Sequence, residues 1–273
     1  MMRSAITVSL VPEAKGGPFV FWNGLEDACQ QASHLGFDAI EVFPRDAHTP
    51  ELQTLPALAA RTGLRVAAIG TGGGWVAHRL TLTQPDADRR ARAAAFIRDI
   101  IDVAGQMGAP AIIGSMQGKA EGDVARDQAL DWLAQALGEL GEHAARHGVP
   151  LLYEPLNRYE TNLHNRIAAA GEWLAAAGVR NVRILADLFH MNIEEADLAG
   201  AIHAAGPAIG HVHFADSNRQ AIGRGHTTLS PVLSALRATG YRGYLSAEIL
   251  PLPDPLSAAR QTIDSFRRAA EIR

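Results

Sequence analysis

Short apolar runs rich in β-branched residues alternate along the chain with longer stretches whose apolar positions recur at helical spacing, punctuated by glycine and proline. The runs predict strands at Ala5–Leu10, Ala39–Phe43, Val66–Ile69, Ala111–Ile113, Leu151–Glu154, Val182–Asp187, Ile209–Phe214 and Gly243–Glu248. The longer stretches predict helices at Leu25–Leu35, Glu51–Thr62, Asp86–Met107, Asp123–His147, Asn165–Ala177, Glu194–Ala205, Leu229–Thr239 and Pro255–Ile272. Gly36, Gly63 and Gly178 stand where helices should stop, and Asp86 stands where a negative side chain suits a helix start. Parallel strands need an intervening crossover, so this alternation predicts a parallel sheet of the α/β class. Eight units in 273 residues, without a break in composition, favour a single (β/α)8 TIM-barrel domain over residues 1–273 rather than an open doubly wound sheet.

Four of the predicted strands end in a residue able to bind a divalent metal. They are Glu154, Asp187, His213 and Glu248, on strands five to eight, and the chemistry of such a barrel sits where the strands end. Glu154 follows Leu151, Leu152 and Tyr153, and a carboxylate there costs several kcal/mol of desolvation unless something cationic or hydrogen-bonding meets it. Any one of the four alone reads as a salt bridge or strand-end cap. Together, three carboxylates converging without a cation would repel one another, and a bound metal resolves this. Oxygen donors with one imidazole suit Mn²⁺, Mg²⁺ or Co²⁺.

His211 and His213 share one strand face, and His213, nearer the mouth, is the expected ligand; His211 is expected as a hydrogen-bonded core or supporting histidine. His190 and Arg219 fall in predicted loops roofing the site, as a donor to a substrate hydroxyl and a stabiliser of negative charge; Glu160 has the same two readings, site or solvated loop. Glu194 and Glu195 read as helix-start residues, and His143, His147, His164 and His203 as solvated. Gly70 to Gly74 match no nucleotide fingerprint and read as a tight turn that lets substrate approach the backbone, with Trp75 as a pocket wall or rim residue.

Composition narrows the partners. A net charge of −4 gives no general attraction to nucleic acid or anionic membrane. Cys29 is the only cysteine, which excludes an intrachain disulfide and a cysteine-rich metal site. The start of the chain lacks the apolar length of a signal peptide, so a soluble cytoplasmic protein is expected, with a small molecule as its partner and a homo-oligomer left open.

The runs EPLNRYETN, ADLFHMNIEE, HVHFADSNR and AEILPLP resemble those of the sugar isomerase/epimerase superfamily with a xylose-isomerase-like barrel, most closely D-tagatose and D-psicose 3-epimerases and relatives acting on keto-sugar acids. The resemblance implies a divalent metal, commonly Mn²⁺, held by Glu154, Asp187, His213 and Glu248. It implies Glu154 and Glu248 as the acid/base pair, and Glu160, His190 and Arg219 as substrate-holding residues. The implied activity is inversion at C3 of a free ketose or keto-sugar acid by deprotonation and reprotonation through an enediolate. An aldose–ketose isomerase at the same site is the alternative, ahead of an abasic-site endonuclease or a non-catalytic sugar-binding protein. Ser115 to Lys119 lacks an aromatic wall, and Arg224-Gly225-His226 adds positive charge near the mouth, which leaves room for a keto-sugar acid.

Overall fold

The computed structural model describes residues 2–271. Eight parallel strands close in sequence order into a barrel. In chain order the elements are β1 (Arg3–Ser9), α1 (Leu25–Leu35), β2 (Ala39–Phe43), α2 (Pro50–Thr62), β3 (Arg65–Gly70), α3 (Gly73–His78) and α4 (Ala87–Gln106). There follow β4 (Ala111–Ile113), α5 (Arg126–Ala145), β5 (Leu151–Tyr153), α6 (Ile167–Ala176), β6 (Val182–Asp187), α7 (Leu188–Glu194) and α8 (Leu198–Ala205). The chain ends with β7 (Ile209–His213), α9 (Leu229–Ala238), β8 (Tyr244–Ala247) and α10 (Pro255–Glu271). Closure is direct: Ala5 of β1 lies beside Ala39 of β2 on one side and Ser246 of β8 on the other.

The expected strands and long helices are present, with ends moved by a few residues; Ile272 lies outside the described residues. Helix ends follow local chemistry. Gly36 and Gly63 adopt the left-handed conformation that closes α1 and α2, and the Asp86 carboxylate accepts the N–H groups of Asp88 and Arg89 to open α4. The main core lies between the strands and the outer helices, while small clusters fill the barrel itself: Ala5, Ala39 and Ala67, and Ala68, Ile112, Leu152 and Leu185. Period-two alternation puts His211 and His213 on that inner face, paired with Leu185 and Asp187 of β6. Cys29 is a buried thiol of α1.

Three expectations need correction. The predicted helix Glu194–Ala205 is two helices, because Asp187 caps a short α7 by accepting the N–H of Phe189, and Asp197 opens α8 by accepting that of Ala199. Glu194 therefore ends a helix instead of starting one, and its carboxylate holds Arg158 through Nε and Nη2 at 2.9 Å each. Glu195 does cap a helix, but α6, by accepting the N–H of Ile167 at 3.0 Å. The second correction concerns Gly70, Gly73 and Gly74, where internal packing demands glycine, whereas Gly72 lines the cavity at the strand ends. A Cβ on Gly70 would sit 2.4 Å from the Phe43 ring, on Gly73 2.4 Å from the Pro44 carbonyl and on Gly74 2.4 Å from Met116 Sδ, and Gly73 and Gly74 begin α3. The third concerns the histidines. His143 and His147 are half-buried, with both Nε2 atoms on Asp102 Oδ1 at 2.6 and 2.8 Å. His164 packs on Trp173 at 4.6 Å between centroids, and burial holds its pKa down at about 4; only His203 is exposed.

Candidate metal and sugar site

The four strand-end residues meet at the C-terminal mouth. Glu154 and Glu248 lie one residue past the ends of β5 and β8, while Asp187 and His213 are the final residues of β6 and β7. Glu154 still continues the ladder by donating its N–H to the Ile113 carbonyl at 3.0 Å, and Pro155 then ends it. Gly114 leaves room for the Glu154 carboxylate, because a Cβ there would lie 2.4 Å from Glu154 Oε2. All four side chains are buried.

His213 Nδ1 lies 3.3 Å from Glu154 Oε1, 3.5 Å from Asp187 Oδ2 and 3.9 Å from Glu248 Oε2. Glu154 Oε1, Asp187 Oδ2 and His213 Nδ1 are all buried without a hydrogen-bond partner, and they fall within 4.8 Å of one another. Three unpartnered donor atoms of the right chemical type, aimed at one point, fit a divalent cation, and Glu248 Oε2 is near enough to join them.

Glu41 of β2 was missed by sequence reasoning. It is wholly buried, and its carboxylate accepts Thr7 Oγ1 at 3.0 Å, His211 Nε2 at 2.7 Å and His213 Nε2 at 3.0 Å. A proton on His213 Nε2 donated to Glu41 turns the Nδ1 lone pair toward the carboxylates, the arrangement by which a second carboxylate orients a metal-binding imidazole. His211 is the hydrogen-bonded core histidine expected. The only sequence signal for Glu41 is a glutamate between Ile40 and Val42 in a run that is otherwise apolar.

Electrostatics follow from this crowding. Burial raises the Glu41 carboxyl, but the two histidines outweigh it and hold the group ionised. Burial would lower His213, yet the Glu41 charge and the carboxylates of Asp187 and Glu154 carry its pKa well above the usual histidine value. A proton and a metal thus compete for Nδ1. Burial also raises Glu248, opposed by Arg219 and His213 and reinforced by Glu154 and Asp187, and the balance stays above the ordinary glutamate range.

Glu160, His190 and Arg219 surround the same point. His190 sits on α7 rather than in a loop, with Nε2 3.6 Å from Asp187 Oδ2 and 3.9 Å from Glu154 Oε1. The Asn157 side chain sets its tautomer. Asn157 Oδ1 accepts the Tyr159 N–H, so Nδ2 donates to His190 Nδ1 and to Glu160 Oε1, each at 2.8 Å. His190 Nε2 then carries the hydrogen and presents it to the cavity. Arg219 has a left-handed φ of 60°, held by its N–H on the Asp216 carbonyl and its carbonyl on the Leu250 N–H. Asp216, also missed, is buried and gathers the loop by accepting N–H groups of Ser217, Gly223 and Thr227. Burial would weaken the Arg219 charge, but Glu248, Asp187 and Glu160 more than restore it. Its guanidinium lies 4.8 Å over the Phe189 ring and pairs through Nη2 with Glu248 Oε2.

Glu154, Glu160, His190, Arg219 and Glu248 line a cavity of about 80 Å³ together with Phe43, Gly72, Ser115 and Leu156. Arg224 and His226, expected to add charge near the mouth, line neither this cavity nor the wider one outside it.

The chain is similar to known proteins over most of its length. The profile of the xylose isomerase-like TIM barrel matches residues 29–269. The chain is 30% identical over 244 residues, 85% of its length and 90% of the relative's, to 3-dehydro-D-guloside 4-epimerase of Escherichia coli strain K12. It is 32% identical over 228 residues, 82% of its length and 75% of the relative's, to L-ribulose 3-epimerase of Mesorhizobium japonicum. A solved L-ribulose 3-epimerase structure shares the fold with a TM-score of 0.83 at 26% identity, over 99% of this chain and 95% of that one. The apo structure of a 3-keto-D-glucoside 4-epimerase from E. coli does so with a TM-score of 0.83 at 24% identity, over 98% and 100%.

Proposed function

The chain belongs to the xylose isomerase-like TIM-barrel family, as an isomerase-class sugar epimerase, and from that premise we propose that it inverts a carbinol carbon next to a ketone in a divalent-metal-dependent reaction. In a ketose that carbon is C3. Both relatives' names describe epimerases, and a 3-dehydro sugar inverted at C4 and a ketose inverted at C3 both change the carbon beside the carbonyl. The observation that carries the reading is the trio of buried, unpartnered donor atoms on Glu154, Asp187 and His213, flanked by a second glutamate arriving from β8.

Glu154, Asp187, His213 and Glu248 would hold the metal, which supplies Lewis-acid polarisation of the ketone and so acidifies the neighbouring carbon. Mn²⁺ suits this donor set, as do Mg²⁺ and Co²⁺. One glutamate of the Glu154/Glu248 pair removes the proton from one face of that carbon. The other returns a proton to the opposite face, and the configuration inverts without any change in oxidation state. The raised pKa of Glu248 suits the donating role, since an acid nearer neutrality gives up its proton at working pH. Arg219 stabilises charge gathering on the substrate oxygen, His190 Nε2–H orients a hydroxyl, and Glu160 receives one.

Proton NMR in D₂O, on metal-loaded and chelator-treated protein with a panel of keto-sugars, tests this directly. Metal-dependent deuterium on the carbon beside the ketone, together with the epimeric product, is expected. Deuterium with an aldose product would make the protein an aldose–ketose isomerase, and absence of exchange on every sugar would sink the epimerase reading.

A further inference from the structure

Away from the strand ends, a further group of side chains brings metal-binding atoms together: Asp102 of α4 with His143 and His147 at the end of α5. Helix geometry places them there. His143 lies in the last turn of α5, and His147 follows in the turn that closes it, with its N–H on the Ala144 carbonyl at 3.0 Å. Residues four apart share a helix face, and the two rings lie 5.8 Å apart between centroids. On α4 the facing positions are Asp102 and, a turn later, Gly105. A Cβ on Gly105 would sit 2.3 Å from His147 Cγ, so a glycine is what lets the ring lie against α4.

Both imidazoles direct the same atom, Nε2, at the same carboxylate oxygen, Asp102 Oδ1, at 2.6 and 2.8 Å. Hydrogen bonding alone would be served as well by one ring on each oxygen. Two nitrogens and one oxygen converging on a single point is the arrangement that a cation uses. Bonds of about 2.0–2.2 Å to one zinc ion hold such atoms about 3.3 Å apart, so the cluster has to open by about half an ångström. The two rings are mostly covered, at 14% and 26% side-chain exposure, and stay in place; the carboxylate, at 43%, can swing outward and leaves a side open to water for the remaining coordination. Two imidazoles with one carboxylate suit Zn²⁺, Ni²⁺ or Cu²⁺ better than Mn²⁺ or Mg²⁺, the reverse of the oxygen-rich set at the strand ends.

We propose that Asp102, His143 and His147 form a second metal site, for Zn²⁺ or a similar imidazole-seeking transition-metal ion, which ties the C-terminal ends of α4 and α5 together. On binding, each ring carries its hydrogen on Nδ1 and gives the Nε2 lone pair to the ion. Both helices end on the face of the barrel where β4 and β5 begin, opposite the mouth. The ion therefore acts on stability and takes no part in the reaction. The inference goes beyond the epimerase reading and does not depend on it.

Chelator-stripped wild type, His147→Ala and Asp102→Asn would each be equilibrated with Zn²⁺, freed of excess by gel filtration and counted by elemental analysis, with a denaturant melt of the metal-free proteins as the check on folding. Wild type is expected to keep one more Zn²⁺ per chain than either variant, whatever the strand-end centre holds. Zn²⁺ should also raise the thermal midpoint of wild type further than that of either variant, because an ion that binds only the folded chain stabilises it. Deuterium exchange on keto-sugars with Mn²⁺ should be the same in all three. Equal Zn²⁺ content in the three proteins, or a Zn²⁺-dependent rise in midpoint that both variants retain in full, would overturn the proposal. Loss of exchange in a folded His147→Ala protein would overturn it too, by tying the histidine to the reaction, whereas absence of exchange in wild type sinks only the epimerase reading.

Discussion

Glu41→Gln separates the charge beneath the site from its shape. The substitution keeps the length of a side chain that is wholly buried, but replaces a carboxylate that accepts three hydrogen bonds, from Thr7, His211 and His213, with an amide that can accept on only one atom. One amide orientation keeps the oxygen toward Thr7 and His213 and forces His211 to change tautomer. The other faces His213 Nε2–H with an N–H and drives the proton to Nδ1, where the metal should bind. In either case His213 loses an anionic partner and becomes a weaker ligand. Partners of this kind are worth about 10- to 100-fold in metal affinity, or about 1.4–2.7 kcal/mol. Stability is a poorer readout. Hydrogen bonds to a charged group contribute about 1.5–3 kcal/mol against about 0.5–1.5 kcal/mol for neutral ones, but removing a buried charge also relieves its desolvation cost. Mn²⁺ titration against a competing chelator, with wild type and variant at one pH and a denaturant melt as the check on folding, measures the effect. A dissociation constant within about twofold of wild type in a folded Glu41→Gln protein would refute the assignment of Glu41 as the group that orients His213.

Three further substitutions probe the rest of the molecule. Glu248→Gln should keep the fold and lose about 10²- to 10⁴-fold in kcat, the scale of positioned acid/base catalysis, and near-normal turnover would remove it from that role. Arg219→Ala should lower kcat/KM by about 10²-fold, as for loss of a charge-stabilising donor, with metal content unchanged; loss of metal by elemental analysis would show that Arg219 acts by holding Glu248 as a ligand. Asp102→Asn tests the outer histidine pair. Burial pushes the Asp102 carboxyl up, but hydrogen bonds from His147 and His143 outweigh it and depress the pKa. A depressed carboxylate contributes stability that is present above its unfolded pKa of about 3.9 and fades as pH falls through the folded value. Because Asp102 is 43% exposed, the unfolding free energies should differ by no more than about 1 kcal/mol at pH 7 and draw together as the pH falls below about 4; a gap that widened on acidification would contradict the sign.

Much of the site was legible because it is written in strand ends. Glu154, Asp187, His213 and Glu248 each terminate an apolar run, and a parallel barrel must carry such ends to one mouth. Alternation and helical spacing likewise determined the eightfold order of elements, and period two determined that His211 and His213 face one way. The sequence could not say that Glu41, more than 170 residues from His213 in the chain, lies beneath it. That contact exists only because β1, β2, β7 and β8 become neighbours when the barrel closes. The same limit explains Gly70, Gly73, Gly74 and Gly114, whose missing side chains make room for Phe43, Pro44, Met116 and Glu154 from other strands and loops. It explains Glu194 and Glu195 too: local sequence makes both caps of their own helix, and tertiary packing turns one to Arg158 and the other to α6. Local patterning determines which residues form strands, helices and their polar ends, since those depend on backbone geometry within a few residues. Which buried charge meets which partner, and how wide a pocket they leave, depends on contacts between distant segments, and only the closed barrel decided them.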